Sequence, residues 1–115
     1  MDEEVPGLAM SRSLGDYVAQ SVGVSPIPQI IKGELVDDDA YMVIASDGVW
    51  EFLSNEAVAH ITFGFFAENK PEAAANALVK EAHKKWKEEE EVIDDITCVI
   101  VYFDFRLLKK DPSQQ

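Results

Sequence analysis

Tyr41-Met42-Val43-Ile44-Ala45-Ser46-Asp47-Gly48-Val49-Trp50-Glu51 is the stretch whose reading decides the fold. Its apolar run breaks off at Asp47-Gly48, and a second acid, Glu51, follows four positions after the first. A run this short predicts a strand, because a helix needs about ten residues or more, and its unbroken apolar character predicts burial on both faces. Asp47 then stands where the strand leaves the core, and Gly48 permits a tight turn or a close backbone approach. A carboxylate at that point is placed to hold a metal ion. The same two residues also make an ordinary Asp-Gly turn, and this stretch alone leaves both readings open.

A second apolar run, Ile96 to Phe103, places Thr and Val on one face and Ile, Cys and Tyr on the other, and predicts another central strand. Asp94-Asp95 immediately precedes it, as Asp47 immediately follows the first run. If the two strands are antiparallel neighbours, Asp47 and Asp94 meet at one end of the sheet, with Glu51 on the loop nearby. Hard oxygen ligands of this kind select Mg²⁺ or Mn²⁺. Two such ions, about 3.5–4 Å apart, activate a water for in-line attack on phosphorus. The alternative is a set of solvated acids at strand ends, common in any acidic protein.

Between the runs, Ser54 is placed to cap a helix whose inward face is Ala57, Val58, Ile61 and Phe65. Gly64 weakens that helix, which ends near Glu68. Asn69-Lys70-Pro71 starts a second helix, with Ala75, Leu78, Val79, Ala82 and Trp86 as its buried stripe. Lys84, Lys85 and Lys87 suit its carboxyl end; Glu88 to Glu91 do not, so they are expected in a solvated loop. Trp50 and Trp86 read as core or pocket wall, Cys98 as core, and His60 and His83 as surface or packing residues.

Upstream, Met1 to Pro6 reads as an acidic loop, and Gly7 to Asp16 as a short strand or irregular segment closed by a Gly15-Asp16 turn. Tyr17 to Val24 is ambiguous, and Pro26 and Pro28 favour extended chain through Ile31. Gly33 and Asp37-Asp38-Asp39 are expected to turn on either side of a short strand near Glu34 to Val36. The tail from Lys109 is polar.

A chain of 115 residues is one domain at most, and 47% hydrophobic content with two Trp and six Phe supports a packed core. The formal net charge of −12 argues against nucleic acid or an anionic membrane as partner, and is compatible with divalent cations and basic peptides. One cysteine excludes an internal disulfide. With no apolar run of spanning length and no secretory pattern, an intracellular location, cytoplasmic or nuclear, is expected.

Three motifs stand in order: Gly7-Leu8-Ala9-Met10-Ser11-Arg12-Ser13-Leu14-Gly15-Asp16; Ile44 to Glu51 leading into Leu53 to Val58; and Asp94-Asp95-Ile96-Thr97. Together, over about residues 6–105, they resemble the type 2C metal-dependent protein serine/threonine phosphatases. The resemblance implies an α+β fold, part of a four-layer α-β-β-α sandwich with mainly antiparallel sheets. It makes residues 1–108 the carboxyl-terminal portion of the catalytic domain and 109–115 a polar tail. It gives Asp47 and Asp94 to Mg²⁺ or Mn²⁺, binuclear in the complete domain, and Glu51, where the family has Asp, to a weak third site. Asp95 stands where Asn is common, and Arg12, Gly15, Asp16 and Gly48 are structural. The family's Asp-Gly-His-Gly motif, upstream acidic ligand and phosphate-binding arginine have no counterpart in these 115 residues. No catalytic residue is therefore assigned in this half, and the chain is expected to be inactive alone. A phosphoserine or phosphothreonine protein is the implied substrate. The missing amino-terminal half, or self-association, is the implied partner, and a non-catalytic binding module of the same fold is the alternative.

Overall fold

The two apolar runs pair with each other. The computed structural model describes residues 10–104, and in chain order its elements are α1 (Tyr17–Gln20), β1 (Tyr41–Ala45), α2 (Asp47–Trp50), α3 (Asn55–Ala67), α4 (Pro71–Glu89) and β2 (Cys98–Tyr102). The chain divides into two compact units, residues 1–34 and 35–115.

In the second unit β1 and β2 are antiparallel, with Tyr41 opposite Tyr102 and Ala45 opposite Cys98. Val43, Ala45 and Cys98 face a core of Val49, Leu53, Val58, Leu78 and Ala82. The expected burial on both faces is corrected: Met42, Ile44, Val99 and Val101 alternate onto a face that is open, with Ile44 53% and Val99 54% exposed. Both helices α3 and α4 belong to the covered side, so each strand alternates between half-buried and exposed positions.

Ser54 caps α3 as its position implies, its Oγ accepting from the Ala57 N–H at 3.1 Å. Ala57, Val58, Ile61 and Phe65 turn inward, joined by Thr62, which is fully buried. The Thr62 hydroxyl donates to the Val58 carbonyl at 2.8 Å and lies 2.7 Å from the Tyr41 hydroxyl, so the buried oxygen is satisfied twice. The helix closes through Asn69, at φ 57°, with the Lys70 N–H bonded to the Phe65 carbonyl. Pro71 opens α4, and Leu78 and Ala82 bury its stripe. Gly64 lies in the body of α3, and a methyl group there would meet nothing within 4 Å. Gly64→Ala is expected to stabilise the protein by about 0.8–1 kcal/mol, read as a higher urea midpoint, because it removes backbone freedom without a clash.

Other elements differ from expectation: the strand read from Ile96 to Phe103 is the shorter Cys98–Tyr102. The helix α4 runs to Glu89, so Glu88 and Glu89 are helical and only Glu90 and Glu91 leave it. The Glu90 N–H still reaches the Trp86 carbonyl at 2.8 Å, and Lys85 pairs with Glu88 at 3.6 Å. Exposed acids at a helix end cost only about 0.3–1 kcal/mol, too little to end it. No strand forms near Glu34 to Val36. There the Asp39 carboxylate accepts from the Val36 N–H and the Asp39 N–H donates to the Val36 carbonyl, so a side-chain turn takes the groups a ladder would use.

In the first unit α1 resolves the ambiguity of Tyr17 to Val24 as a single helical turn followed by Gly23 at φ 111°. Asp16 caps it, its Oδ1 accepting from the Ala19 N–H at 3.1 Å, and Gly15 takes φ 76°, a value that favours glycine. Arg12 forms an isolated parallel bridge with Ser25. The expected loop at Met1 to Pro6, the Gly7 to Ala9 segment and the tail from Lys109 lie outside the described residues. Among the described residues, no helix is long and apolar enough to cross a membrane.

Candidate functional site

Ser46 ties the ends of the two strands together. Its N–H donates to the Thr97 carbonyl at 3.0 Å, while its Oγ accepts from the Thr97 N–H at 3.2 Å and donates to the Asp95 carbonyl at 3.3 Å. With that oxygen engaged across the sheet, Ser46 leads into α2 without a side-chain cap. The single turn of α2 follows, closed by the Glu51 N–H on the Asp47 carbonyl at 2.8 Å.

Gly48 lies flat on the start of the opposite segment. A Cβ there would fall 2.9 Å from the Asp95 carbonyl carbon and 2.9 Å from the Ile96 Cα, inside any real contact. The Trp86 Nε1–H of α4 donates to the Gly48 carbonyl at 2.7 Å. The Trp86 ring stands edge-on to Phe52, centroids 4.7 Å apart at 76°. Trp86 also walls a cleft of about 340 Å³ with Glu90, Val92, Ile93, Asp94 and Asp95.

Antiparallel pairing thus brings Asp47 and Asp94 to the same end of the sheet, as their positions beside the two runs imply. Both are exposed, and Asp94 Oδ1 accepts from the N–H of Asp95 at 2.7 Å. Glu51 is exposed just past the end of α2. Asp47, Glu51 and Asp94 do not close into a ligand set: among the described residues no three His, Cys, Asp or Glu side chains are grouped to hold a metal ion. The donors fit Mg²⁺ or Mn²⁺ in kind, being exposed carboxylate oxygens, but two of them leave most coordination positions to water.

Cys98 is half-buried toward α4, its Sγ 3.8 Å from the Ala75 carbonyl, and burial pushes its thiol pKa up, away from reactivity at neutral pH. His60 and His83 are exposed. Trp50 is half-buried and lines a second groove with Tyr41, Asn55 and Thr62. The Ser46 hydroxyl and the Trp86 N–H were not singled out from sequence for the site. A serine before Asp-Gly and a tryptophan closing a helical stripe, whose N–H needs a partner when half-buried, are the signals that point to them.

A family model for Protein phosphatase 2C matches residues 2–90. The chain is 35% identical over 107 residues to Probable protein phosphatase 2C 64 of Oryza sativa subsp. japonica, an alignment covering 91% of this chain and 24% of that one. It is 41% identical over 96 residues to Probable protein phosphatase 2C 35 of Arabidopsis thaliana, covering 84% and 27%. The chain therefore spans about a quarter of the length of these curated relatives. The crystal structure of serine-threonine phosphatase 2C from Toxoplasma gondii superposes with a TM-score of 0.72 at 24% identity, over 82% of this chain and 29% of that one. At that identity the likeness speaks for the α+β fold alone.

Proposed function

Because this chain belongs to the protein phosphatase 2C family, we propose that residues 1–108 supply the carboxyl-terminal portion of a Mg²⁺- or Mn²⁺-dependent protein serine/threonine phosphatase. The observation that carries this reading is the stapled antiparallel junction, which sets Asp47 and Asp94 at one end of the sheet. Asp47 and Asp94 would each give a carboxylate to a divalent cation, with Glu51 toward a weaker neighbouring position. A cation so held supplies positive charge to a phosphate ester and to the water that attacks it. The chain's own residues orient those carboxylates: Ser46 locks the strand ends, and Gly48 lets α2 lie against the Asp95-Ile96 backbone. A phosphoserine or phosphothreonine protein is the substrate class the family membership favours.

No Asp-Gly-His-Gly motif occurs in the sequence, and Arg12 sits in a backbone bridge. The chain alone is accordingly expected to release no phosphate above background from a phosphoserine peptide. It should bind Mn²⁺ weakly, and Asp47→Asn and Asp94→Asn should each abolish that binding in a titration. Unchanged affinity in both variants would end the metal reading. Adding a separately expressed amino-terminal portion of a relative should restore Mn²⁺-dependent hydrolysis. The open face of Met42, Ile44, Val99 and Val101 favours a second reading, a non-catalytic module that packs this face on a partner. Stable association without hydrolysis in the same mixture would select it.

A further inference from the structure

Trp86 ends the inward stripe of α4, yet its polar edge does not stay with the core. The indole N–H crosses to the Gly48 carbonyl, 38 residues away in sequence, at 2.7 Å. That length is at the short end of the range for N–H···O bonds. A one-turn helix such as α2 leaves its last carbonyls to donors from outside, and for Gly48 that donor is Trp86. Gly48 is also pressed on the Asp95-Ile96 backbone. The same ring walls the cleft that contains Asp94 and Asp95. One side chain thus holds the turn that begins with Asp47 and borders the segment that carries Asp94.

We infer that Trp86 is a positioning residue for the Asp47–Asp94 pair, fixing the Gly48 peptide so that the two carboxylates are presented together to a divalent cation. The inference rests on the metal reading above. The one-turn helix that begins with Asp47 is anchored from outside by this bond from α4. A hydrogen bond to the peptide beside the ligand does this without occupying a ligand position, as outer partners of metal ligands do. Phe52, edge-on to the indole, keeps the ring from rotating out of that bond.

The test uses the whole 115-residue chain and Mn²⁺ alone as probe, read by loss of the free-ion paramagnetic resonance signal. Trp86→Phe keeps a ring against Phe52 and removes the donor. It is expected to raise the Mn²⁺ midpoint about tenfold. Thr62→Val removes a buried hydrogen bond near the Tyr41 end of the sheet and should lower the melting temperature without moving that midpoint. Wild-type affinity in Trp86→Phe, with binding lost in Asp47→Asn, overturns the positioning role and leaves the metal reading standing. An unchanged midpoint in both Asp47→Asn and Asp94→Asn overturns the metal reading and the positioning role together. A midpoint that rises equally in Thr62→Val reduces Trp86 to general stability and also overturns the role. If Trp86→Phe does not fold, the wild-type chain decides: on Mg²⁺ addition the Trp86 indole N–H resonance should shift with the same midpoint as the Asp47 amide. An indole resonance that stays fixed while the amide moves refutes the inference.

Discussion

Replacing Gly48 with alanine is expected to cost about 3 kcal/mol, a large part of the stability of a small domain. The methyl group would land on the backbone of Asp95 and Ile96, and neither a carbonyl nor a Cα can swing aside as a flexible side chain would. Relief requires the segment leading into β2 to move away from α2. That movement breaks the Ser46 contacts with Asp95 and Thr97 and stretches the Trp86 bond as well. The check is a pair of urea unfolding curves, Gly48→Ala beside Gly64→Ala, which should shift in opposite directions although the substitution is the same. A Gly48→Ala midpoint at or above wild type would mean that the close approach of the two segments is not a feature of the folded protein.

Leu78→Ala should destabilise by a similar amount, about 3 kcal/mol or more, because Leu78 is fully buried at the centre of the core and its removal leaves a cavity. Ile44→Ala deletes as much hydrocarbon from a strand residue of the same unit. On the open face, at 53% exposure, it should change stability by only about 0.5 kcal/mol. Calorimetric melting of both variants decides the point. Equal losses would show that Ile44 is covered in solution, for instance by a second copy of the chain.

That contrast marks how far sequence carries. The cap at Ser54, the helix start at Pro71 and the stripe through Leu78 and Ala82 were legible because each is a local pattern set by helical geometry. The two strands were legible from their apolar character, and their antiparallel pairing only as the condition under which the acids beside them meet. The openness of one face was not, since an apolar pattern records a side chain's chemistry and not what lies over it. The strand expected near Glu34 to Val36 lost to a single carboxylate, that of Asp39, which offered the Val36 N–H a nearer partner. In the candidate site, Asp47 and Asp94 could be named from their places beside the strands and from family resemblance. The contacts that set their geometry could not, because Ser46 and Trp86 act across 49 and 38 residues of chain. The grouping of Glu51 with them was a matter of distance that spacing does not determine.

The register of the sheet also dictates an order of assembly. The strands lie on either side of the whole helical pair in sequence, and Tyr41 meets Tyr102 only when everything between has folded back. Closing so long a loop is entropically costly, whereas α3 and α4 meet through a short connection at Asn69 and Lys70. On refolding, helical circular dichroism should therefore recover before the near-ultraviolet signal of Tyr41 and Tyr102, whose rings meet only when the two strands pair.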